Sequence, residues 1–243
     1  MTSRQLAVQK IADWKTNVNQ FAYDNFKITP DKWQEKVLNA VPSKDPDKQR
    51  IAMGACVGPG KTCVQAIIGL WFLSCNGDKF DKPKGASVAI TKDNLKDNLW
   101  PEYAKLLKRS EWLNRQFTWT KSLVYNNAQP EDWFLSARSF AKTADPEEQG
   151  RTLSGLHSRY VLAQLDESGD IPPAVGNAAE QIMSQGNAEF CKIIQSGNPT
   201  SRSGILYEAW MERTTGRWFY VRITSDPEDS DRSPRIDRDW ETD

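Results

Sequence analysis

Histidine and patterned cysteine are what this 243-residue chain has least of: one histidine, His157, and four cysteines, Cys56, Cys63, Cys75 and Cys191. No two cysteines are spaced as C-x-x-C and none has a second pair nearby, so neither a zinc site nor a disulfide framework is favoured, and buried free thiols are expected. His157 has no carboxylate or cysteine at metal spacing and reads as structural. Long hydrophobic runs are missing too. The longest, Ala66 to Cys75, is half of the ~20 residues a membrane span needs and reads as a buried helix. The opening MTSRQLAVQK has no apolar segment behind a basic start, hence no secretory signal, and a cytoplasmic location with no membrane partner is expected. Net charge is absent as well, with 32 basic and 32 acidic residues, so there is no overall electrostatic case for a polyanionic partner. Residues 225–243 hold eight acids and three arginines, which leaves 29 basic and 24 acidic groups in residues 1–224, an excess that a solvated surface explains as well as nucleic acid does. Apolar content is ample at 38%, with ten tryptophans, so the bulk of the chain is a globular domain rather than a disordered one.

The spacing of Ala7, Ile11, Trp14, Val18 and Phe21 predicts one amphipathic helix, and Asp31 to Val41 a second. From Arg50 the pattern becomes strand and helix in alternation. RIAMGAC is a strand, a glycine-rich turn follows, and Lys61 to Ser74 is a helix. Further strands are expected over Ala86–Thr91, Arg159–Leu165, Phe190–Gln195 and Arg217–Thr224. Helices are expected around Asp93–Lys108 and Gly204–Glu212, with a hairpin of Thr118–Tyr125 and Asp132–Ala137 about the turn NNAQP. Such alternation argues for an α/β fold with a mainly parallel central sheet flanked by helices, whose ligands bind at the carboxyl ends of the strands. The acidic stretch 225–243 is the one piece expected to be disordered.

Three polar loops fall at those ends. Ala55-Cys-Val-Gly58-Pro-Gly60-Lys61-Thr62 matches G-x-x-x-x-G-K-S/T except for Ala55 at the first glycine. A tight turn of this kind aims backbone N–H groups at phosphate oxygens from the start of a helix, Lys61 adds a point charge and Thr62 a hydroxyl for Mg2+. Gly58, Gly60 and Cys63 complete the expected nucleotide-contacting set. Asp166 and Glu167 close the run Val161–Leu165 and present adjacent carboxylates, the first for metal and the second for the attacking water. Ser196-Gly197-Asn198 ends the next strand, where an amide can detect a γ-phosphate; a plain turn before Pro199 is the other reading. Upstream, Trp33-Gln34 offers an aromatic ring to stack or pack and an amide that can pair with adenine.

In that order and spacing, ITPDKWQ, ACVGPGKT, LDESGDIP and SGNPT resemble the ATPase domain of the large terminase subunit, the DNA-packaging motor of tailed bacteriophages, from about Phe26 to Thr224. The resemblance implies a P-loop NTPase fold of the additional-strand, catalytic-glutamate type. It implies ATP and Mg2+ as cofactors, Gln34 as adenine reader, Lys61 and Thr62 on phosphate and metal, Asp166 on metal, Glu167 as catalytic base and Asn198 in coupling. It further implies double-stranded DNA, a portal protein and a small terminase subunit as partners, a homo-oligomeric ring, and work in the host cytoplasm on the procapsid. An arginine acting across the ring is implied just before the acidic strand, with Arg151 the candidate and Arg138 and Arg159 its rivals. Two departures stand out. Many members carry an arginine inside the phosphate loop, where this chain has Val57, Gly58 and Pro59, and members usually continue into a nuclease domain that residues after Thr224 are too few and too charged to form. The expected organisation is thus 1–45 helical with the adenine motif, 46–224 the ATPase core, and 225–243 a tail or linker, without nuclease activity in this chain. A helicase-like or other DNA-handling ATPase and a nucleotide-regulated binding module remain the alternatives. Basic residues on the helix after the second strand, Lys92, Lys96, Lys105, Lys108 and Arg109, read first as a solvated face, with contact to DNA phosphates as the alternative.

Overall fold

A computed structural model describes residues 2–140, 143–184, 186–224, 226–229 and 232–236. Eight strands form one sheet: β1 (Arg50–Ala55), β2 (Lys84–Ala89), β3 (Phe117–Trp119), β4 (Leu123–Asn126), β5 (Phe134–Ser139), β6 (Tyr160–Leu165), β7 (Phe190–Gly197) and β8 (Phe219–Ile223). Their order is β3-β4-β5-β2-β6-β7-β1-β8. From β5 to β8 every neighbouring pair is parallel, whereas β3 and β4 are antiparallel additions at one edge.

VLAQL (161–165) and KIIQS (192–196) are buried along their whole length, as expected of parallel strands covered on both sheet faces. Along β6, Tyr160 and Leu162 join the core on one face while Val161, Ala163 and Leu165 join that on the other; Ile194 and Ile193 of β7 divide in the same way. The first face is covered by α1 (Ser3–Thr16), α2 (Val18–Phe26), α3 (Lys32–Ala40), α4 (Lys61–Cys75), α5 (Lys92–Asp97), α6 (Leu99–Arg109) and α7 (Glu111–Gln116). The second is covered by α9 (Pro173–Met183) and α10 (Ile205–Met211), with Leu153 and Leu156 from the connecting segment, and α8 (Pro146–Gly150) packs on α9. α4 is apolar on nearly all sides because it is sandwiched between the sheet and α6, with Trp71 and Phe72 at most 1% exposed.

Three expectations change. The N-terminal helix is two helices, broken at Asn17, whose side chain accepts the Gln20 N–H and so caps α2 (2.9 Å). Ala7 is accordingly exposed, while Trp14, Val18 and Phe21 are core. The helix expected near Asp93–Lys108 breaks at Asn98, because Pro101 has no N–H to donate back to Asp97. The stretch expected as Thr118–Tyr125 turns at Thr120–Ser122 and yields two strands, so the hairpin of β4 and β5 gains β3. Within the acidic stretch, residues 232–236 lie against the domain: Ser233 is 1% exposed, its N–H donates to the Thr224 carbonyl (2.9 Å), and Ile236 packs on the core. Residues 225, 230, 231 and 237–243 lie outside the described residues, so the disorder expected of them stays an expectation.

Candidate nucleotide-binding site

The loop between β1 and α4 turns through Gly58 and Gly60, with φ of 95° and 97°. A side chain at either position would strain the left-handed backbone, which is why glycine stands at these two points. The turn delivers Lys61 to the carboxyl edge of the sheet, 7% exposed, its ammonium donating to the carbonyls of Ala55 (3.0 Å) and Cys56 (2.9 Å) and to Oδ1 of Asn198 (2.6 Å). Burial holds its pKa below the ordinary lysine value, and the charges of Glu167 and Asp166 oppose that shift. Thr62 is half-buried in the first turn of α4. Cys63 packs against the core and burial raises its thiol pKa, so what it can offer a phosphate is its backbone N–H at the helix start.

Asp166, one residue beyond β6, is 2% exposed. Its Oδ1 accepts from Ser196 Oγ and Gln65 Nε2, both at 3.3 Å, while its Oδ2 is buried without a partner. Burial, with the neighbouring Glu167 charge, pushes its pKa up to about 6. An unpartnered carboxylate oxygen in a dry site costs free energy unless a cation or donor meets it, so the donor set fits a divalent ion. Mg2+ characteristically takes one or two carboxylates together with phosphates and water. Glu167 adopts a left-handed conformation, φ 52° and ψ 45°, uncommon for a residue with a Cβ and a form of strain found at functional sites.

β7 joins the two halves. Ser196 reaches Asp166 and Asn198 reaches Lys61 from opposite ends of one tripeptide. Between them Gly197 admits no side chain, since a Cβ would lie 2.7 Å from the Gly169 nitrogen and 2.9 Å from that of Ser168. Gln65 donates to both Ser196 Oγ (2.7 Å) and Asp166, tying α4 to the same cluster, a participant that no sequence motif marks.

The other expected residues divide. Gln34, 2% exposed at the start of α3, accepts the Asp31 N–H on Oε1 (3.0 Å), and its Nε2 lies 3.1 Å from where a Cβ on Gly60 would be. Trp33 has no exposed surface and belongs to the core, so it packs α3 and has no face to stack on a base, a correction to the nucleotide-contacting set. Arg151 sits on the surface, its side chain 70% exposed and paired with Glu147 (2.6 Å). Arg138 is committed to holding the 152–154 turn through the Thr152 and Ser154 carbonyls (both 2.9 Å). Arg159 precedes β6, at the amino edge of the sheet and away from the site, paired with Asp78 (3.0 Å) and Glu189. His157 is exposed. Lys105 pairs with Glu102 (2.9 Å), Lys108 and Arg109 are solvated, and the Lys92 side chain lies outside what is described.

A glycine loop leading from a buried strand into a helix, an acidic pair ending a second strand, and a third strand lying between those two define the P-loop nucleotide-binding class of α/β fold, in its additional-strand form. Comparison of the sequence with family models and with curated proteins finds no match. Among solved structures the fold matches phage large terminases. That of bacteriophage HK97 aligns at TM-score 0.63 and 15% identity, covering 89% of this chain and 45% of its own. That of a thermophilic bacteriophage, solved with ADP, aligns at 0.58 and 16%, covering 79% and 45%. The ATPase domain of the Thermus phage P74-26 large terminase aligns at 0.52 and 15%, covering 78% and 72%. The chain therefore has the fold of the ATPase portion of a large terminase and spans about half the length of the first two proteins. No helix among the described residues is long and apolar enough to cross a membrane.

Proposed function

We propose that this chain hydrolyses ATP as the motor domain of a terminase large subunit, driving double-stranded DNA into a procapsid. The observation that carries this reading is the double tether of β7, which bonds the phosphate-loop lysine through Asn198 and the acidic-strand aspartate through Ser196. A strand in contact with both can sense whether a γ-phosphate is present and move when it leaves. The likeness to large terminases, one solved with ADP and another with ATP-γ-S, supports the same reading.

In the reaction, the backbone N–H groups of Gly58, Gly60, Lys61 and Thr62 and the Lys61 ammonium hold the polyphosphate. Thr62 and Asp166 would hold Mg2+, which when bound would supply charge neutralisation for the polyphosphate. Glu167 orients the attacking water and accepts its proton as the oxygen–phosphorus bond forms and the ADP oxygen departs. Gln34, whose Nε2 lies 3.1 Å from where a Cβ on Gly60 would be, would read the adenine edge. Arg151, 70% exposed and paired with Glu147 on its own surface, would have the freedom to reach a neighbouring subunit in a ring. Motor work of this kind calls for phosphate contacts to DNA rather than base reading, and for a portal protein and a small terminase subunit as assembly partners in the host cytoplasm.

Steady-state phosphate release with and without double-stranded DNA tests the reading. Wild type should turn over ATP and respond to DNA, and Glu167→Gln should lose roughly 10²–10⁴-fold in turnover while still binding ATP. ATP bound but never hydrolysed by wild type would favour a nucleotide-regulated binding module instead.

A further inference from the structure

The phosphate loop carries one cation, Lys61, and has Val57, Gly58 and Pro59 where another basic side chain could have stood. A triphosphate with its metal presents more negative charge than one ammonium and the helix start can balance. The structure brings a second cation to this loop from the far end of the chain. After β8 the chain turns at Thr224, buries Ser233, and sets Ile236 on the core. Between those two anchors stands Arg235. One edge of its guanidinium faces the Asp31 carboxylate, with Nε 3.1 Å from Oδ2 and Nη2 3.5 Å from Oδ1. This ion pair, with one long hydrogen bond from Nη2, draws the guanidinium toward Asp31, and among the described residues Nη1 makes no hydrogen bond or ion pair. Nη1 is the atom nearest the loop, 3.2 Å from the position a Cβ would take on Gly60.

We propose that Arg235 is a nucleotide-binding residue supplied in cis, its Nη1 donating to a phosphate oxygen of the nucleotide held on the loop. This rests on the nucleotide-site reading above and adds to it the residue that replaces an in-loop arginine. The physical case has three parts. The side chain is 42% exposed, so a ligand can reach it, whereas Asp31 is 15% exposed and acts as a fixed support. The support is the residue that precedes α3, the helix that places Gln34, so the two groups flanking Gly60 are set by one backbone turn. Finally, the flank of Gly60 has room only because it is glycine; Gln34 Nε2 and Arg235 Nη1 close on it from 3.1 and 3.2 Å. A guanidinium held this way is preorganised for an anion and loses little rotamer freedom on binding.

Equilibrium titration of the full chain with ATP, ADP and adenosine, comparing wild type with Arg235→Ala, Arg235→Lys and Lys61→Ala, tests the assignment. Arg235→Ala should weaken ATP and ADP by roughly ten-fold or more, as expected for a charge-assisted contact to phosphate, and leave adenosine binding within about two-fold of wild type. Arg235→Lys, which keeps the charge but not the planar guanidinium, should recover part of the loss. Adenosine weakened as much as ATP would reduce Arg235 to a structural support for α3 and overturn the proposal. Unchanged ATP affinity in Arg235→Ala, with Lys61→Ala impaired, would also overturn it while leaving the nucleotide site standing. Unchanged ATP affinity in both variants would instead remove the nucleotide-site reading on which it rests. Because Arg235 is half exposed, its substitution is not expected to unfold the chain, and a thermal melt of each variant checks this.

Discussion

Asn198→Ala should tighten ATP binding while slowing turnover. The Lys61 ammonium has three N–H donors, and all are taken: by Ala55 O at 3.0 Å, Cys56 O at 2.9 Å and Asn198 Oδ1 at 2.6 Å. To meet a phosphate it must release one. Two of the acceptors are backbone carbonyls of the loop itself, whereas Asn198 is a side chain that can turn away, so Asn198 competes with the phosphate for the same proton. A hydrogen bond to a charged donor is worth about 1.5–3 kcal/mol. Asn198 is half-buried, so water recovers part of that once the amide is gone, which leaves about 1 kcal/mol as the net competition, or roughly five-fold in affinity. Calorimetric or fluorescent-nucleotide titration should therefore give an ATP dissociation constant about five-fold below wild type. Phosphate release on the same sample should show kcat falling with KM, the signature of a lost ground-state restraint together with a lost transition-state role. Equal or weaker ATP binding by a folded Asn198→Ala would refute the competition and mean that the Lys61–Asn198 bond persists with nucleotide bound.

Mixing Arg151→Ala chains with Glu167→Gln chains should restore part of the ATPase activity that each lacks alone, because a mixed ring contains interfaces with one intact arginine and one intact glutamate; no recovery from folded, assembling variants would remove Arg151 from an intersubunit role. Gly69→Ala sets a methyl group 2.2 Å from Tyr103 Oη and 2.8 Å from its ring, overpacking the contact of α4 with α6 by about 1–3 kcal/mol in urea unfolding. Tyr103→Phe alone, which loses the bond from Oη to Gln164 Oε1 (2.5 Å), should cost about 1 kcal/mol. The double variant should lose less than the sum, and strict additivity would count against the clash. Lys192, 3% exposed and donating to the Ser43 and Lys48 carbonyls (2.7 and 2.8 Å), has its pKa pushed down to about 8 by burial. Between about pH 8 and 10.5 the unfolded chain binds a proton there that the folded one has released, so this group makes stability rise with pH by up to about 3 kcal/mol. The unfolding free energy of wild type minus that of Lys192→Met should climb across that window, a subtraction that cancels the opposite trend of the Cys191 thiol; a flat difference would refute it.

What could be read from sequence was whatever rests on neighbours in the chain. Gly58, Gly60, Lys61 and Thr62 form their turn locally, because the glycines permit it and the helix start follows at once. A run such as Val161–Leu165, apolar on both faces and ending in two acids, is enough to specify a buried parallel strand with its polar residues at the carboxyl end. Breaks were less legible. Asn17 and Pro101 both interrupt helices whose apolar spacing runs on unbroken, since periodicity records which face is buried and not whether the backbone hydrogen bonds continue. Only the tertiary structure decided where long-range partners meet. It put Trp33 wholly inside, because the depth of a helix in its domain depends on what covers it and no local pattern encodes that. It brought Gln65 and Ser196 to Asp166 across 101 and 30 residues of chain, pairings with no signature at either end. It also carried Arg235 back across 204 residues to Asp31 and the phosphate loop, out of a stretch whose composition spoke for disorder. Composition averages over a segment, while two anchors, a buried serine and an isoleucine on the core, suffice to hold five residues in place.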